Sequence, residues 1–213
     1  MIELMFDPLQ QAPDNARGSF FGGIAPGLEG TGLALLDPAH DAPLAVYLVA
    51  SGRSNRVGLA RYSGFSGMVA GTVRRLERHG EPAMLAIRGY SLRGHPRVHF
   101  ELIELGALLR WQLLRRRWPV VEIPAGTLHK FASGGGDPNP SAVAAALAAL
   151  YRRNFRSVRE AEAYGLAHIA RALVYPEDYN PERVEALTQI ARVRALQSRF
   201  EQETQKAKKW DAE

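Results

Sequence analysis

Residues 22–37 constrain the fold of this chain more than any other stretch: Gly22-Gly23-Ile24-Ala25-Pro26-Gly27-Leu28-Glu29-Gly30-Thr31-Gly32-Leu33-Ala34-Leu35-Leu36-Asp37. They read as strand, tight turn, strand. Ile24 closes a first apolar run. Pro26 fixes φ and Gly27 tolerates positive φ, so the pair marks a turn. Residues 31–36 then form a compact apolar strand. A β-hairpin at the start of a domain is the expected result.

The rest of the chain builds outward from that hairpin. Residues 1–18 are polar and proline-containing, with no period, and read as an N-terminal arm. Pro38-Ala39-His40-Asp41-Ala42-Pro43 is turn chemistry, and 44–50 is a third apolar strand, completing an antiparallel meander. Residues 51–67, rich in Ser, Gly and Arg, read as a loop. In 68–78, Met68, Val69, Thr72, Val73 and Leu76 repeat at helical spacing, and Gly80 closes the helix. Residues 83–87 form a buried strand that delivers Arg88-Gly89-Tyr90-Ser91 at its end. A long helix over 98–116, a short strand over 119–123 and a short helix from 124 follow. Residues 133–140 are a loop or the start of the next helix, 141–151 an alanine-rich helix with Ser141 as its N-cap, and 159–175 a helix ended by Pro176. Residues 182–209 spell a charged amphipathic helix with Val184, Leu187, Ile190, Ala191 and Leu196 on one face. The division is an arm at 1–18, a domain at 19–176 and a charged C-terminal helix at 177–213. The order β-β-β-α-β-α-β-α-α predicts an α/β fold, a mixed five-stranded sheet with its first three strands antiparallel, flanked by helices.

Composition excludes several classes of function. The chain has no cysteine, so disulfides and thiolate metal sites are out, and a reducing compartment is expected. No apolar stretch is long enough to span a membrane, and the first residues lack a basic region of the signal-peptide kind. A cytoplasmic protein is the expectation. Its 27 Lys and Arg outnumber 22 Asp and Glu, and the arginines cluster at 74–78, 115–117 and 152–159. Arginine suits bidentate phosphate contact, but the same runs fit solvated helix faces. The six histidines show no metal-ligand spacing.

Four local motifs carry a resemblance. They are Gly23-Ile24-Ala25-Pro26-Gly27; Ala86-Ile87-Arg88-Gly89-Tyr90-Ser91; Glu104-Leu105-Gly106 with Arg110, followed by Pro119-Val120-Val121-Glu122-Ile123-Pro124 and Lys130-Phe131-Ala132; and Arg159-Glu160-Ala161-Glu162-Ala163-Tyr164-Gly165-Leu166-Ala167. In order and spacing they resemble the RuvC-like Holliday junction resolvases of the ribonuclease H-like nucleases, in particular their phage-type branch. In that family four carboxylates hold two divalent metals that stabilise the attacking and leaving oxygens of a phosphodiester displacement. The matching positions here are Ala25, Arg88, Arg159 and Glu162, one carboxylate of four. Shifting the last motif to admit Glu160 does not rebuild the set, since Ala25 and Arg88 remain.

The resemblance therefore implies a catalytically degenerate protein that binds branched or duplex DNA through a basic cleft, with no metal and no cofactor. Arg88, Arg93, Arg97, Lys130 and Arg159 are its implied DNA-binding residues. The alternative is a resolvase using Mg²⁺ and made inactive by an Asp→Ala change at Ala25, although arginine at 88 and 159 does not fit that origin. A second alternative is a structural, protein-binding role through the C-terminal helix. DNA, with a four-way junction as one candidate form, is the implied partner, with a homodimer formed through the helix at 98–116, in a phage or mobile element and in DNA recombination. Either Arg88 and Arg159 receive phosphate, with Glu162 paired to one of them and fixing its orientation, or Arg88 and Glu162 form a buried salt bridge that fills an obsolete pocket.

Overall fold

The computed structural model describes residues 19–39, 43–50, 59–90, 96–135 and 139–188, with the backbone alone at 59 and 96–99. Five strands, β1 (Phe20–Ala25), β2 (Gly30–Leu36), β3 (Pro43–Ala50), β4 (Pro82–Arg88) and β5 (Val120–Ile123), form one sheet in the order β3-β2-β1-β4-β5. β1, β2 and β3 pair antiparallel, as the hairpin and its following turn require. β4 and β5 add in parallel on the other side of β1, through helical crossovers.

Both faces of the sheet are covered, so β1 and β2 are buried at every residue. Alternation divides the core. Phe20, Ile24, Leu33, Leu35, Leu85 and Ile87 pack under α1 (Leu59–Glu77) and α2 (Pro96–Arg115). Phe21, Ala25, Ala34, Leu36, Met84 and Ala86 face the opposite layer, which holds α3 (Ala125–Ser133), α4 (Pro140–Leu150) and α5 (Val158–Ala172). α5 lies against the sheet and is buried from Glu160 through Ala172. Glycine makes that approach possible. A Cβ at Gly23 would stand 2.0 Å from the carbonyl oxygen of Ala163, and one at Gly32 would stand 2.0 Å from that of Arg159.

Several elements differ from the sequence expectation. α1 begins at Leu59, nine residues inside the expected loop, and its buried stripe of Phe65, Met68, Val69, Thr72, Val73 and Leu76 gains Phe65 one turn before Met68. Gly64 and Gly67 sit where an added Cβ would meet no atom within 4 Å, so these glycines mask the helix without interrupting its packed face. α4 is capped by Asn139, whose side chain accepts from the Ser141 amide, with Pro140 in the first turn, so Ser141 is not the cap. α5 starts at the Ser157 cap and stops at Ala172, and Pro176 opens a short 3-10 turn, Pro176–Asp178. The β1–β2 turn uses no positive φ at Gly27. Glycine is needed there because a Cβ would come within 2.7 Å of the Gly30 carbonyl and 2.8 Å of Arg159 Nε.

At the C-terminal end, α6 (Pro181–Glu185) is short, and Leu187 is buried in the core on the α5 side. The arm at 1–18 and the amphipathic pattern from 189 onward lie outside the described residues. Among the described residues no helix is long and apolar enough to cross a membrane.

Candidate functional site

In an open α/β sheet, ligands bind beyond the carboxyl ends of parallel strands where the strand order reverses. Here that point is between β1 and β4, since the chain leaves β1 toward β2 on one side and β4 lies on the other. Ile24 pairs with Ile87, so Ala25 and Arg88 end their strands side by side. Alternation along β4 turns Met84, Ala86 and hence Arg88 toward α5.

The first turn of α5 is presented to the same place. Its start is pinned by Ser157, whose Oγ accepts from the Glu160 amide at 3.2 Å, while Glu160 reaches back to accept from the Arg156 amide at 2.8 Å. With Gly32 letting the Arg159 backbone rest on β2, Arg159 and Glu162 project from this turn on neighbouring positions.

Three of the four positions meet in one cluster. Arg88 Nη1 donates to Glu162 Oε1 at 2.7 Å, and Arg159 Nη1 donates to Glu162 Oε2 at 2.5 Å. The Glu162 side chain is 5% exposed, Arg88 12% and Arg159 29%. Burial pulls the Arg88 guanidinium below its usual pKa, the Glu162 charge opposes that, and the Arg159 charge adds to it. Glu162 thus pairs with both arginines, where the sequence suggested one. Ala25 is fully buried within the α5-side core and contributes only a methyl group.

The end of β4 is held by a further group that the motifs contained without assigning it a task. Arg110 on α2 donates from Nη2 to the Arg88 carbonyl at 3.2 Å and from Nε to Glu122 Oε2 at 2.8 Å. Its guanidinium lies over the Tyr90 ring, 4.2 Å from the centroid, and the Tyr90 hydroxyl donates to the Ile103 carbonyl. The sequence signal for it was Gly106, one turn before Arg110 on the same helix face.

Lys130, the DNA-binding expectation on α3, is exposed. Arg93 lies outside the described residues, and of Arg97 only its place in the first turn of α2 is described.

The cluster does not suit a divalent metal. Hard cations require several oxygen ligands, and the one carboxylate present is already shared by two guanidiniums. Among the described residues no group of three or more His, Cys, Asp or Glu could hold a metal ion. What guanidiniums at this place can do is hold an anionic oxygen by paired hydrogen bonds.

A scan against protein-family models finds no match, and no curated protein matches the chain. The fold itself is that of the RuvC-like, ribonuclease H-like α/β proteins, with a mixed five-stranded sheet flanked by helices. The chain is similar to Thermus thermophilus RuvC solved in complex with Holliday junction substrate, at TM-score 0.55 and 14% identity, covering 75% of this chain and 95% of that one. It is equally similar to Thermus thermophilus RuvC in a second structure, with 75% and 96% covered.

Proposed function

We propose that this protein binds the phosphate backbone of DNA, branched or duplex, at the Arg88–Glu162–Arg159 cluster, without metal-dependent cleavage. One observation carries the reading: two guanidiniums share a single carboxylate, leaving a net positive charge at the point of the sheet where ligands bind. Arg159, the most exposed of the three, takes the phosphate, and Arg88 supports it from behind. A structural neighbour with this fold, Thermus thermophilus RuvC, was solved with a Holliday junction, which makes DNA the favoured anion. Mg²⁺ has no place in the reading, because the charge that metal ions would supply is here covalently attached.

The test is DNA affinity across a salt series for the wild type and an Arg88→Ala, Arg159→Ala double variant. Loss of the Arg159 phosphate contact, together with its Arg88 support, should lower the slope of log affinity against log salt by about 0.9. Unchanged binding refutes the phosphate role. A four-way junction cut in the presence of Mg²⁺ or Mn²⁺ refutes the absence of cleavage.

Self-association through α2 belongs to the same reading. Phe100, Trp111 and Leu114 are 67%, 60% and 62% exposed, and with Ala107 they fall on one heptad-spaced stripe of that helix. Such a stripe is self-complementary across a twofold axis. Sedimentation should find a dimer that Trp111→Glu dissociates, and a wild-type monomer at all concentrations would refute it.

A further inference from the structure

We infer that Arg110 is a positioning residue: together with Tyr90, Gly106 and Glu122 it clamps the end of β4 and thereby aims Arg88 at Glu162. The consequence for DNA rests on the function proposed above, whereas the clamp itself does not.

β4 ends at Arg88, and one further ladder bond follows, from the Gly89 amide to the Ile123 carbonyl at 2.7 Å. Beyond it the chain leaves the sheet. A side chain on the last residue of a strand inherits whatever freedom that exit has, so a buried ion pair there requires the exit to be fixed. Arg110 fixes it at three points. One terminal nitrogen holds the Arg88 carbonyl, Nε holds Glu122 on the neighbouring strand, and the planar face lies on Tyr90, two residues past Arg88. A guanidinium can donate in two directions and stack at once.

The surroundings are shaped to this arginine. A Cβ at Gly106 would stand 2.7 Å from Arg110 Nη1, 2.8 Å from Tyr90 Cε1 and 2.9 Å from the Tyr90 hydroxyl oxygen. At Gly89 a Cβ would come within 3.0 Å of Glu122 Oε1. Glycine at 106, inside a helix, normally costs stability relative to alanine. Here it admits the stacked pair. Nη1 of Arg110 is buried with no hydrogen-bond partner among the described residues, so the arginine is kept in this place despite an unpaired donor.

The experiment separates positioning from charge. Arg110→Lys, Arg110→Met and Gly106→Ala are compared with wild type and Arg88→Ala. Gly106→Ala meets only side-chain ends, so it displaces the clamp while the helix stays folded. Three readouts apply: exchange of the Gly89 amide, the Arg88 Nε resonance, and affinity for a DNA four-way junction. Positioning predicts faster Gly89 exchange and a broadened or shifted Arg88 resonance in all three variants. It also predicts an affinity loss of about tenfold, the low end of what removing the supporting partners of metal ligands costs. Arg110→Lys, which keeps the charge, should lose as much as Arg110→Met, and neither should weaken an Arg88→Ala protein further. Wild-type affinity in Arg110→Lys, or full additivity with Arg88→Ala, overturns the inference. If the wild type fails to bind DNA, the proposed function falls, and the clamp stands or falls on Gly89 exchange and the Arg88 resonance.

Discussion

Replacing Glu162 by glutamine should destabilise the protein far more than removing either the exposed arginine or the whole buried pair. The carboxylate is nearly sealed, and each of its oxygens accepts from a different arginine. With charge centres near 4 Å, each pair attracts by about 4 kcal/mol at an effective dielectric of 20. Desolvation cancels much of that in the wild type. Once residue 162 is a neutral amide, however, Arg88 is still buried with no opposite charge to repay its desolvation, a cost of about 3–5 kcal/mol. Arg159 can turn toward solvent, so its share stays near the ~0–1 kcal/mol of a surface pair. For a chain of this size the total lowers the melting temperature by on the order of 10 °C. Arg159→Gln should cost no more than about 1 kcal/mol. An apolar Arg88→Met, Glu162→Leu double variant should recover most of the loss, because no buried charge is left unpaired. Urea and thermal denaturation of the four proteins test the ordering. A Glu162→Gln protein within about 1 kcal/mol of wild type, or a double variant as unstable as the sum of its parts, would refute the reasoning.

Three further outcomes follow from the packing. His168 stacks on Tyr151, is edged by Tyr164 and meets the Tyr179 hydroxyl at 3.0 Å; burial, helped by the Arg171 and Arg183 charges, drives its pKa down to about 3. Because the unfolded chain takes up that proton first, stability is full above about pH 6.5 and falls toward pH 3 by roughly 1.4 kcal/mol per unit, a slope that His168→Gln should flatten between pH 6.5 and 5 in urea titrations. Gly23→Ala should cost about 3 kcal/mol or more in chemical denaturation, since its methyl meets α5 backbone, whereas Gly67→Ala on the open side of α1 should gain up to about 1 kcal/mol; equal effects would refute this account of the close approach. Ala25→Asp restores one carboxylate but leaves both guanidiniums in place, so calorimetric titration with Mg²⁺ should show no stoichiometric binding, and a saturable site would count against the electrostatic argument.

The strand order was legible because it rests on local signals of the right period. The runs at 31–36, 44–50 and 83–87 are apolar, short and bounded by turn residues, and they became β2, β3 and β4. The start of α1 was hidden by glycines whose open side has no bearing on its buried stripe. The site was partly legible. The motifs put Arg88, Arg159 and Glu162 at strand and helix ends, and the fold brings these three together. That one carboxylate serves both arginines depends on how closely α5 sits on β2, a distance governed by Gly32, far away in sequence. Gly27 was noticed for the wrong reason: it is required by crowding against Arg159 and the Gly30 carbonyl, with no positive φ. Arg110 was missed because its partners come from α2, β5 and the exit of β4, and only the glycine one turn before it signals the space it occupies.

The charge balance ties the proposed function to the fold. In the two-metal arrangement of the family this sequence resembles, four carboxylates and two divalent ions sum to zero, and the pocket is anionic until ions arrive. Here two arginines and one glutamate sum to one positive charge with no ion required. The ends of β1 and β4 and the first turn of α5 bring that positive charge to one place. An anionic pocket needs cations to meet a phosphate, whereas a cationic one meets it directly and is screened by salt. If the proposed reading holds, DNA binding should therefore follow ionic strength and be indifferent to chelation of divalent ions. Binding that collapses on addition of a chelator at constant ionic strength would require ligands that this cluster does not contain.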